Sequence, residues 1–501
     1  MKKFTGLVII LVVLLLGSYY GMGYLTEKQV KEDLKTVNQS NGLTVNLEGY
    51  NRGWFTSKAI LNWGLHIPAH VVSSADGQSE TVAAQDFQMK MPLTIHHGPV
   101  IFADKSVKFG LGYAHTELLL PEKFAQQFNN AFSSESTQPK LDLSLFVSYL
   151  LNTNIDASVP AFKLIAKQGN GQLDWLGMTS STSLSPDMKK VSGNITVDGL
   201  RIAKGPIKTD MSSVTSEYNL HKTSSGLYLG DASLSFPSLV ITNNDKKIFE
   251  LAQFDVHSDT NIEEGLFNSH FKSSIEKIAT NDKTYGPGRL EVAIRNLDAD
   301  ALARINQQAN QLQQGPDAQR QQALLAILPE LPQLFSKGAE FEVTELNFVM
   351  PQGTIEGNLM VSLPKSATTN PFELIQKIQG NGKLKVPSVV VKELISESIR
   401  QKMLAAPQPP QTIQQGIVQQ MQQQAGTAPA GSSNNATPPA TIDLNAVAQQ
   451  ASAAADKQIA TMIQSGVLAV QGNDYVIEAN LNQGQLMVNG KPFNPGMLKF
   501  Q

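Results

Sequence analysis

Polar and apolar residues alternate at every second position along much of the chain. In the segment 52–67, one set of alternate positions is mostly apolar, namely Phe55, Ala59, Leu61, Trp63, Leu65 and Ile67. The positions between them are polar except for Ile60, namely Thr56, Lys58, Asn62 and His66. A period of two predicts a β-strand with one buried face and one solvated face.

The same alternation recurs towards the C-terminus. The segment 341–363 contains two alternating runs joined at Pro351–Gly353, which predicts a hairpin. The segment 474–493 predicts a second hairpin, with its turn at Gln483–Gly484. Shorter runs lie at 194–200, 226–236 and 288–297. The sequence therefore predicts a fold that is mainly β with flanking helices (α+β). Its long antiparallel sheet would meander along the chain and could curl into a groove.

Apolar residues at helical spacing interrupt the predicted strands. The segment 297–312 predicts a helix with Asp298 as its N-cap. A second helix is predicted over 318–328, because Pro329 cannot continue it. Further helices are predicted over 121–132, 143–151, 391–404 and 444–465. We expect these helices to cover apolar parts of the sheet.

The most apolar segment lies at the N-terminus. Lys2 and Lys3 precede the uncharged segment 4–26, whose centre, 7–16, is wholly aliphatic. About 20 helical residues cross the ~30 Å hydrocarbon core of a bilayer. Lysines before a span favour a cytoplasmic N-terminus, and tyrosines favour the interface, here Tyr19, Tyr20 and Tyr24. This pattern predicts a cytoplasmic stub and transmembrane anchor at residues 1–26.

A cleaved signal peptide is the alternative interpretation, because small residues that could form a processing site occur at Gly17, Gly21 and Gly23. No Ala-x-Ala pattern is present, and the segment 27–38 continues directly as an amphipathic helix with Val30, Leu34 and Val37 at helical spacing. We therefore favour a retained anchor. No other segment reaches membrane-spanning length, so the chain is predicted to cross the membrane once.

Residues 403–442 carry no charge and are rich in Gln, Pro and Ala. The Gln-rich first half can form a helix, whereas the second half is expected to be a mobile linker, because its low hydrophobicity cannot offset the entropy of ordering. A loop insertion is favoured over a tether to the cell wall. We expect a β-rich domain over 27–402, completed after this linker by a helix and hairpin at 443–501.

Composition narrows the classes of function. The 40 basic and 43 acidic residues give a net charge of −3, and charged residues make up 17% of the chain, below the roughly 25% of an average domain. The basic face of a nucleic-acid-binding protein is absent from this pattern, so no nucleic-acid partner is expected. The chain has no cysteine, which excludes disulfides, thiolate catalysis and cysteine-ligated metal sites.

No catalytic motif is complete. The Gly-Lys pairs at Gly382 and Gly490 lack the upstream glycine of a phosphate-binding loop, and neither Gly-x-Ser-x-Gly nor His-Glu-x-x-His occurs. A serine acylase would need Ser-x-x-Lys on a helix. That tetrapeptide occurs at Ser269–Lys272, Ser274–Lys277 and Ser362–Lys365. None has companion motifs, and chance explains the repetition better.

Five of the eight histidines lie in the first quarter of the chain, namely His66, His70, His96, His97 and His115. Pro68 breaks any helix between the first two, and adjacent residues on a strand point to opposite faces. A chance cluster is therefore favoured over a metal site. Two acidic pairs also have ordinary explanations: Asp298 and Asp300 begin a helix, and Glu263 and Glu264 form a solvated turn. We expect no cofactor, metal or catalytic residue.

Several landmarks occur in a distinctive order: the N-terminal anchor and short helix, GYNRGWFTSKA, HHGPV at His96–Val100, LDADALARINQQANQL, MPQGTIEGNLMVSL and GQLMVNGKPF. Together they resemble the YdgA/YihF-like family of bacterial proteins, which carries a domain of unknown function. The resemblance implies an inner-membrane anchor and a periplasmic β-rich body, but no reaction. It singles out landmark positions of unknown role: Arg52, Gly53, His97, Gly98 and Pro99. Glycines permit turns and proline fixes one.

Three functions remain open. The first is a non-enzymatic protein of the cell envelope that acts by binding or scaffolding, held in the lipid bilayer through residues 4–26 and contacting lipid or another envelope protein. The second is a carrier of lipid in an AsmA-like β groove, which requires an apolar trough lined by alternate strand residues. The third is a periplasmic hydrolase, which requires a buried polar cluster in a cleft.

Overall fold

The computed structural model describes residues 2–37, 43–67, 70–73, 79–82, 85–103, 106–120, 122–280, 282–314, 327–366, 370–405 and 444–493. Within this part of the chain, none of the helices combines the length and the apolar character needed to cross a membrane.

Most described residues belong to β-strands. The strands are β1 (Leu43–Arg52), β2 (Thr56–Ile67), β3 (His70–Ser73), β4 (Ser79–Val82), β5 (Gln85–His97), β6 (Val100–Ala103), β7 (Ser106–Phe109), β8 (Gly112–Leu118), β9 (Leu141–Val147), β10 (Thr153–Val159), β11 (Phe162–Ile165), β12 (Gly171–Leu184), β13 (Lys190–Lys204), β14 (Ile207–Met211), β15 (Val214–Lys222), β16 (Tyr228–Asn243), β17 (Lys246–Glu263), β18 (Leu266–Thr280), β19 (Lys283–Tyr285), β20 (Gly288–Asp298), β21 (Glu340–Met350), β22 (Gly353–Ser362), β23 (Gln379–Pro387), β24 (Ala469–Gln471), β25 (Asp474–Asn482), β26 (Gln485–Val488) and β27 (Lys491–Pro492). The helices are α1 (Lys2–Val37), α2 (Glu122–Ala131), α3 (Ala299–Gln314), α4 (Leu331–Leu334), α5 (Pro371–Lys377), α6 (Ser388–Ala405) and α7 (Leu444–Gln464).

The chain divides into two compact units. Unit 1 comprises Met1–Pro351, Asn358–Gly380 and Asn482–Gly484. Unit 2 comprises Gln352–Gly357, Asn381–Leu481 and Gln485–Gln501.

Unit 1 is built on a meandering antiparallel sheet. Its strands pair in the order β1–β2–β5–β8–β9–β10–β12–β13–β15–β16–β17–β18–β20–β21. Each of these pairings joins strands that follow one another in the chain, apart from inserted strands and helices. Two insertions form separate hairpins, β3–β4 and β6–β7. The predicted β-rich, meandering antiparallel fold is therefore confirmed.

In unit 2, helices α6 and α7 pack together. A core cluster fixes α7 and the residues that follow it, namely Ile459, Met462, Val467 and Leu468. Val391 and Ile395 of α6 pack against this cluster. The apolar residues whose helical spacing predicted both helices are thus the residues that each helix buries.

Most predicted elements are confirmed. Both strands of each C-terminal hairpin form, and helices occupy three of the predicted segments as α2, α6 and α7. The carboxylate of Asp298 accepts a hydrogen bond from the Ala301 amide at 3.0 Å, which confirms it as the cap of α3. The helix predicted over 318–328 falls almost wholly outside the described residues, and Pro329 lies in the short 3-10 turn Leu328–Glu330. The low-complexity segment 403–442 also lies outside them beyond residue 405.

The helix predicted over 143–151 is wrong. This segment forms most of β9 and the turn that follows it. Leu143, Leu145 and Val147 occupy alternate positions and share one face of the strand, whereas Asp142 and Ser144 share the other. Pairing on both sides, with β8 and β10, stabilises this extended conformation over the local helical spacing.

Candidate functional site

The two faces of the unit 1 sheet differ sharply in chemistry from β9 to β21. Strand register aligns ten residues into one row, Ser144, Asp156, Ser181, Asn194, Glu217, Ser233, His257, Lys272, Glu291 and Glu345. A second row on the same face contains Asp142, Ser158, Thr179, Thr196, Thr215, Ser235, Asp255, Ser274, Arg289 and Asn347. Neither row contains an aliphatic residue, Phe, Tyr or Trp.

The opposite face carries two mainly apolar rows, which we call the apolar strip. One row contains Leu145, Ile155, Thr182, Gly193, Tyr218, Ala232, Ser258, Phe271, Val292 and Val343. The other contains Leu143, Ala157, Ser180, Ile195, Ser216, Leu234, Val256, Ser273, Leu290 and Leu346. The strip holds no charged residue, and at about 4.8 Å per strand it extends about 43 Å across the sheet.

The apolar strip is not fully buried. Its side chains are partly exposed in all ten strands, and Ile195 is exposed. The main helix contacts with the described part of this sheet fall on β1, β5, β8 and β20, outside most of the strip. An aliphatic surface of this size is costly to leave in water, so the strip is a candidate binding surface for an apolar ligand.

Several depressions of unit 1 lie on the polar face. One, of about 690 Å³, is bordered by Asp142, Ser144 and Asp156. Another, of about 600 Å³, includes Lys272 and Glu291. Their polar groups already bind one another: Ser181 donates to Asp156 at 2.7 Å, and Lys272 lies 2.7 Å from Glu291. An apolar ligand on the strip would therefore lie on an open surface, not in a closed cavity.

Helix α1 lies against the same face as the apolar strip. The row next to the strip contains His97, Gly112, Val147 and Thr153. A Cβ added to Gly23 of α1 would lie 2.5 Å from the His97 ring, and one added to Gly112 would lie 2.4 Å from Thr26. Close approach of helix and sheet is possible here only because both glycines lack a side chain.

His97 links α1 to the first two strands. Its side chain is 1% exposed, and its Nδ1 lies 3.2 Å from the carbonyl oxygen of Trp54. A carbonyl can only accept, so Nδ1 carries the proton and donates it, and Nε2 accepts from the Ser57 hydroxyl at 2.8 Å. Burial lowers the pKa of His97, and the positive charge of Arg52 lowers it further. His97 therefore makes its hydrogen bonds to Trp54 and Ser57 as a neutral imidazole.

A second buried polar group lies farther along α1. The carboxylate of Asp33 accepts hydrogen bonds from Gln29 and from Thr153 of β10, both at 2.8 Å. The Gln29 amide also donates to the carbonyl of Pro186 at 3.1 Å. Burial raises the pKa of Asp33 despite these two donors. The bonds tie α1 to the sheet at a position distant in sequence from His97.

Arg52 completes the junction between α1 and the sheet. Its guanidinium lies 3.1 Å from the carboxylate of Glu27 and donates to the Tyr20 hydroxyl at 2.9 Å. It also lies over the rings of Tyr20 and Tyr24, at 4.7 and 5.4 Å from their centroids. Because a planar guanidinium can stack and donate at once, lysine could not replace it.

The structure brings the sequence landmarks together. Gly53 donates its amide to the carbonyl of Thr56 in the β1–β2 turn, and Gly98 donates to the carbonyl of Leu111. The Gly110 amide donates to the carbonyl of Pro99 at 3.3 Å. All five landmarks, including Arg52 and His97, thus lie at the end of the sheet that contacts α1, where their bonds are structural.

Sequence reasoning missed several residues of this junction, namely Gln29, Asp33, Ser57 and Thr153. Ser57 carried a signal, because it is polar and lies in the apolar phase of the β2 alternation. The α1 residues carried none, because their apolar neighbours suggested a different buried face. Of that predicted face, Val30 is buried and Leu34 only partly so.

The other candidate residues are not brought into a site. His96 and His115 lie on the polar face of the sheet, opposite His97. No group of metal-ligating side chains occurs within the described ranges. Ser269 and Lys272 lie on β18, where residues three apart point to opposite faces, so this Ser-x-x-Lys cannot bring its amine beside its hydroxyl.

Protonation of His97 should weaken the junction. The unfolded chain binds this proton with an ordinary pKa near 6.5, whereas burial lowers the pKa in the folded chain. Its contribution to stability is therefore complete above about pH 6.5 and is lost as the pH falls below it. We expect the denaturant midpoint of the wild-type protein to fall more steeply between pH 7 and 5.5 than that of His97→Gln.

Ser57→Ala is the matched control for this experiment. It removes the hydrogen bond to Nε2 but keeps the titrating imidazole, so it should lower the midpoint at every pH and retain the wild-type slope. Equal slopes for the wild type and His97→Gln would show that His97 does not titrate differently in the two states.

Comparison with known proteins identifies the family of the chain. No curated protein matches the chain. The model of a bacterial protein family of unknown function, DUF945, matches residues 1–496. The sequence-based resemblance is confirmed at this level, whereas the narrower YdgA/YihF-like assignment stays a prediction. The chain belongs to the bacterial DUF945 family.

Proposed function

We propose that the protein binds acyl chains of membrane lipids along the apolar strip of unit 1 and acts without catalysis. The observation that carries this proposal is the pair of mainly apolar, uncharged rows across ten strands, interrupted only by glycine and small hydroxyl residues, opposite two rows without an aliphatic residue. An acyl chain has no polar group that needs a hydrogen-bond partner, so it can lie along an uncharged strip without losing a hydrogen bond. Small hydroxyl residues such as Ser216 and Ser273 leave space beside Leu234 and Val256.

We further propose that α1 anchors the protein in the bacterial inner membrane, with its N-terminus in the cytoplasm and the sheet in the periplasm. The uncharged segment 4–26 and the preceding lysines support this orientation. α1 contacts the row beside the β9–β10 end of the apolar strip, so an anchored helix would hold this end of the strip nearest the bilayer. Lipid could then pass between bilayer and strip over a short distance.

Scaffolding of another envelope protein is the second candidate, because an exposed apolar surface can also bind a protein. The length of the strip favours lipid. Protein interfaces usually combine an apolar centre with a polar rim, whereas the two rows stay uncharged across about 43 Å. A hydrolase has less support. The Ser57 hydroxyl donates to Nε2 of His97, as a nucleophile does to its base, but Ser57 is fully buried and His97 is 1% exposed, so a substrate could not reach the pair.

Site-specific photocrosslinking tests the proposal directly. A benzophenone amino acid would replace Leu234, Val256 or Leu290 on the strip, and in matched controls the adjacent Ser233, His257 or Glu291 on the polar face. After irradiation in cells, mass spectrometry of the purified chain should find lipid adducts at the strip positions and not at their neighbours. Equal adducts on both faces, or none on the strip, would reject lipid binding there. Protein adducts on the strip would favour scaffolding.

A further inference from the structure

Exposed aromatic and aliphatic side chains surround the point where α1 meets the sheet. They come from the β1–β2 turn, the β6–β7 hairpin and the β9–β10 turn, and we call them the collar: Trp54, Phe55, Phe102, Phe109, Tyr149 and Leu150. Phe102 and Leu150 are 71% and 77% exposed, the largest values among the exposed hydrophobic residues of the described chain. A contiguous group of exposed apolar side chains marks an interaction surface, whereas single ones are common.

The collar lies at one level of α1. The ring of Tyr19 contacts Phe55 with centroids 5.0 Å apart, and the ring of Tyr20 contacts Trp54 at 5.3 Å. The Tyr19 hydroxyl donates to the carbonyl of Val100, the first residue of β6, at 2.8 Å. Trp54, Phe55 and the first residue of the β6–β7 hairpin therefore lie at the level of Tyr19 and Tyr20.

The hairpin β6–β7 and the β9–β10 turn meet at the same place. Val100 pairs with Phe109, and Phe102 pairs with Val107, so these four side chains share one face of the hairpin. Ile101 points to the other face and is buried. The Tyr149 hydroxyl donates to the carbonyl of Pro99 at 2.6 Å, which places this turn beside the base of the hairpin.

Helix length sets where a membrane surface would lie. Gly23 and Thr26 are buried against His97 and Gly112, so the uncharged segment packs on the sheet from Gly23 onwards and only the residues before it are free to lie in lipid on all sides. From Lys3 to Tyr20 the helix rises about 26 Å at 1.5 Å per residue, close to the ~30 Å hydrocarbon core. The bilayer surface would then lie at Tyr19 and Tyr20, the level of the collar.

We propose that the collar rests in the interfacial layer of the bilayer that α1 crosses. This inference rests on the proposed anchoring by α1 and adds that the sheet is docked on the membrane. Aromatic side chains favour the boundary between headgroups and acyl chains. The unbroken helix, fixed by His97, Arg52 and Asp33, holds the sheet at a constant distance from the bilayer. The exposed side chains of the collar are then covered by lipid.

The absence of cysteine allows a direct test. Single-cysteine variants at Phe102 and Leu150 are labelled with an environment-sensitive fluorophore in the full-length protein and reconstituted in phosphatidylcholine–phosphatidylglycerol nanodiscs. Ile207→Cys is the control, because this exposed residue lies on β14 of the same unit. Val12→Cys reports whether α1 spans the bilayer. Each label is then exposed to lipids that carry a nitroxide near the headgroup or deep in the acyl chain.

We expect the emission of the labels at 102 and 150 to shift to the blue and to be quenched by the shallow nitroxide. The emission of the label at 207 should neither shift nor be quenched. The label at 12 should respond to the deep nitroxide. Quenching at 12 without quenching at 102 and 150 would overturn the collar and leave the anchor intact. A blue shift at 102 and 150 without quenching would identify a protein as the occupant and also overturn it. Absence of quenching at 12 would reject the anchoring itself.

Discussion

A single methyl group added at Gly98 is expected to destabilise unit 1 by about 3 kcal/mol, at the upper end of the cost of overpacking. A Cβ at this position would lie 1.6 Å from the carbonyl oxygen of Gly110. Backbone must move to relieve such a contact, and the hydrogen bonds from Gly98 to Leu111 and from Gly110 to Pro99 would break with it. The denaturant midpoint of Gly98→Ala in detergent should therefore fall well below that of the wild type.

Gly171→Ala is the matched control for this substitution. A Cβ there meets only the Cβ of Ala166, at 3.6 Å, which is ordinary van der Waals contact. The midpoint should change by no more than about 0.5 kcal/mol, because surface substitutions without strain cost little. If Gly98→Ala and Gly171→Ala unfold at the same denaturant concentration, the close approach at Gly98 does not determine the stability of this end of the sheet.

The meandering sheet could be predicted because its signal is local. Alternation along β2 identifies the inward face without knowledge of any neighbour, and Ile60, the exception in that pattern, lies exposed on the polar face. The cap at Asp298 is equally local. The error at β9 arose where two periods coincide, because the leucines of 143–151 fit both a helix and a strand. Only the pairing of β9 with β8 and β10 decides between them.

The apolar strip could be predicted only in outline. The alternation along each strand predicts its apolar face. Whether Leu234 lies beside Val256, and Ile195 beside Ser216, depends on the register of the hairpins that join these strands. Register is set by turn lengths and bulges, such as the irregularity between Trp175 and Gly177.

The junction of α1 with the sheet could not be predicted from helical spacing. The pattern of 27–38 indicated an apolar contact face, yet α1 contacts the sheet through Gly23, Thr26, Gln29 and Asp33, with Val30 among them. These polar groups are stable when buried because each has a partner: Gln29 donates to the carbonyl of Pro186, and Asp33 accepts from Thr153 of β10. Such matching requires knowledge of residues more than a hundred positions apart.

A carboxylate placed on the apolar strip should abolish lipid binding. Val256→Glu puts an ionised group between Leu234 and Ser273, its partners in the row. An acyl chain crossing this position would strip water from the carboxylate without replacing its hydrogen bonds, at a cost of several kcal/mol. Since 1.4 kcal/mol corresponds to a tenfold change in affinity, we expect the lipid retained through purification to fall at least about tenfold, as measured by native mass spectrometry.

His257→Glu is the matched control, one residue away on the same strand. Its side chain is exposed on the polar face and its partners in the row are Ser233 and Lys272, so the same charge is introduced without touching the strip. Lipid content should stay at the wild-type level. Leu290→Glu, two strands away on the strip, should repeat the loss, and circular dichroism shows whether each variant keeps its sheet. If folded Val256→Glu and Leu290→Glu proteins retain as much lipid as His257→Glu, the acyl chains bind elsewhere. A chain bound along the strip could not tolerate a buried charge at either position.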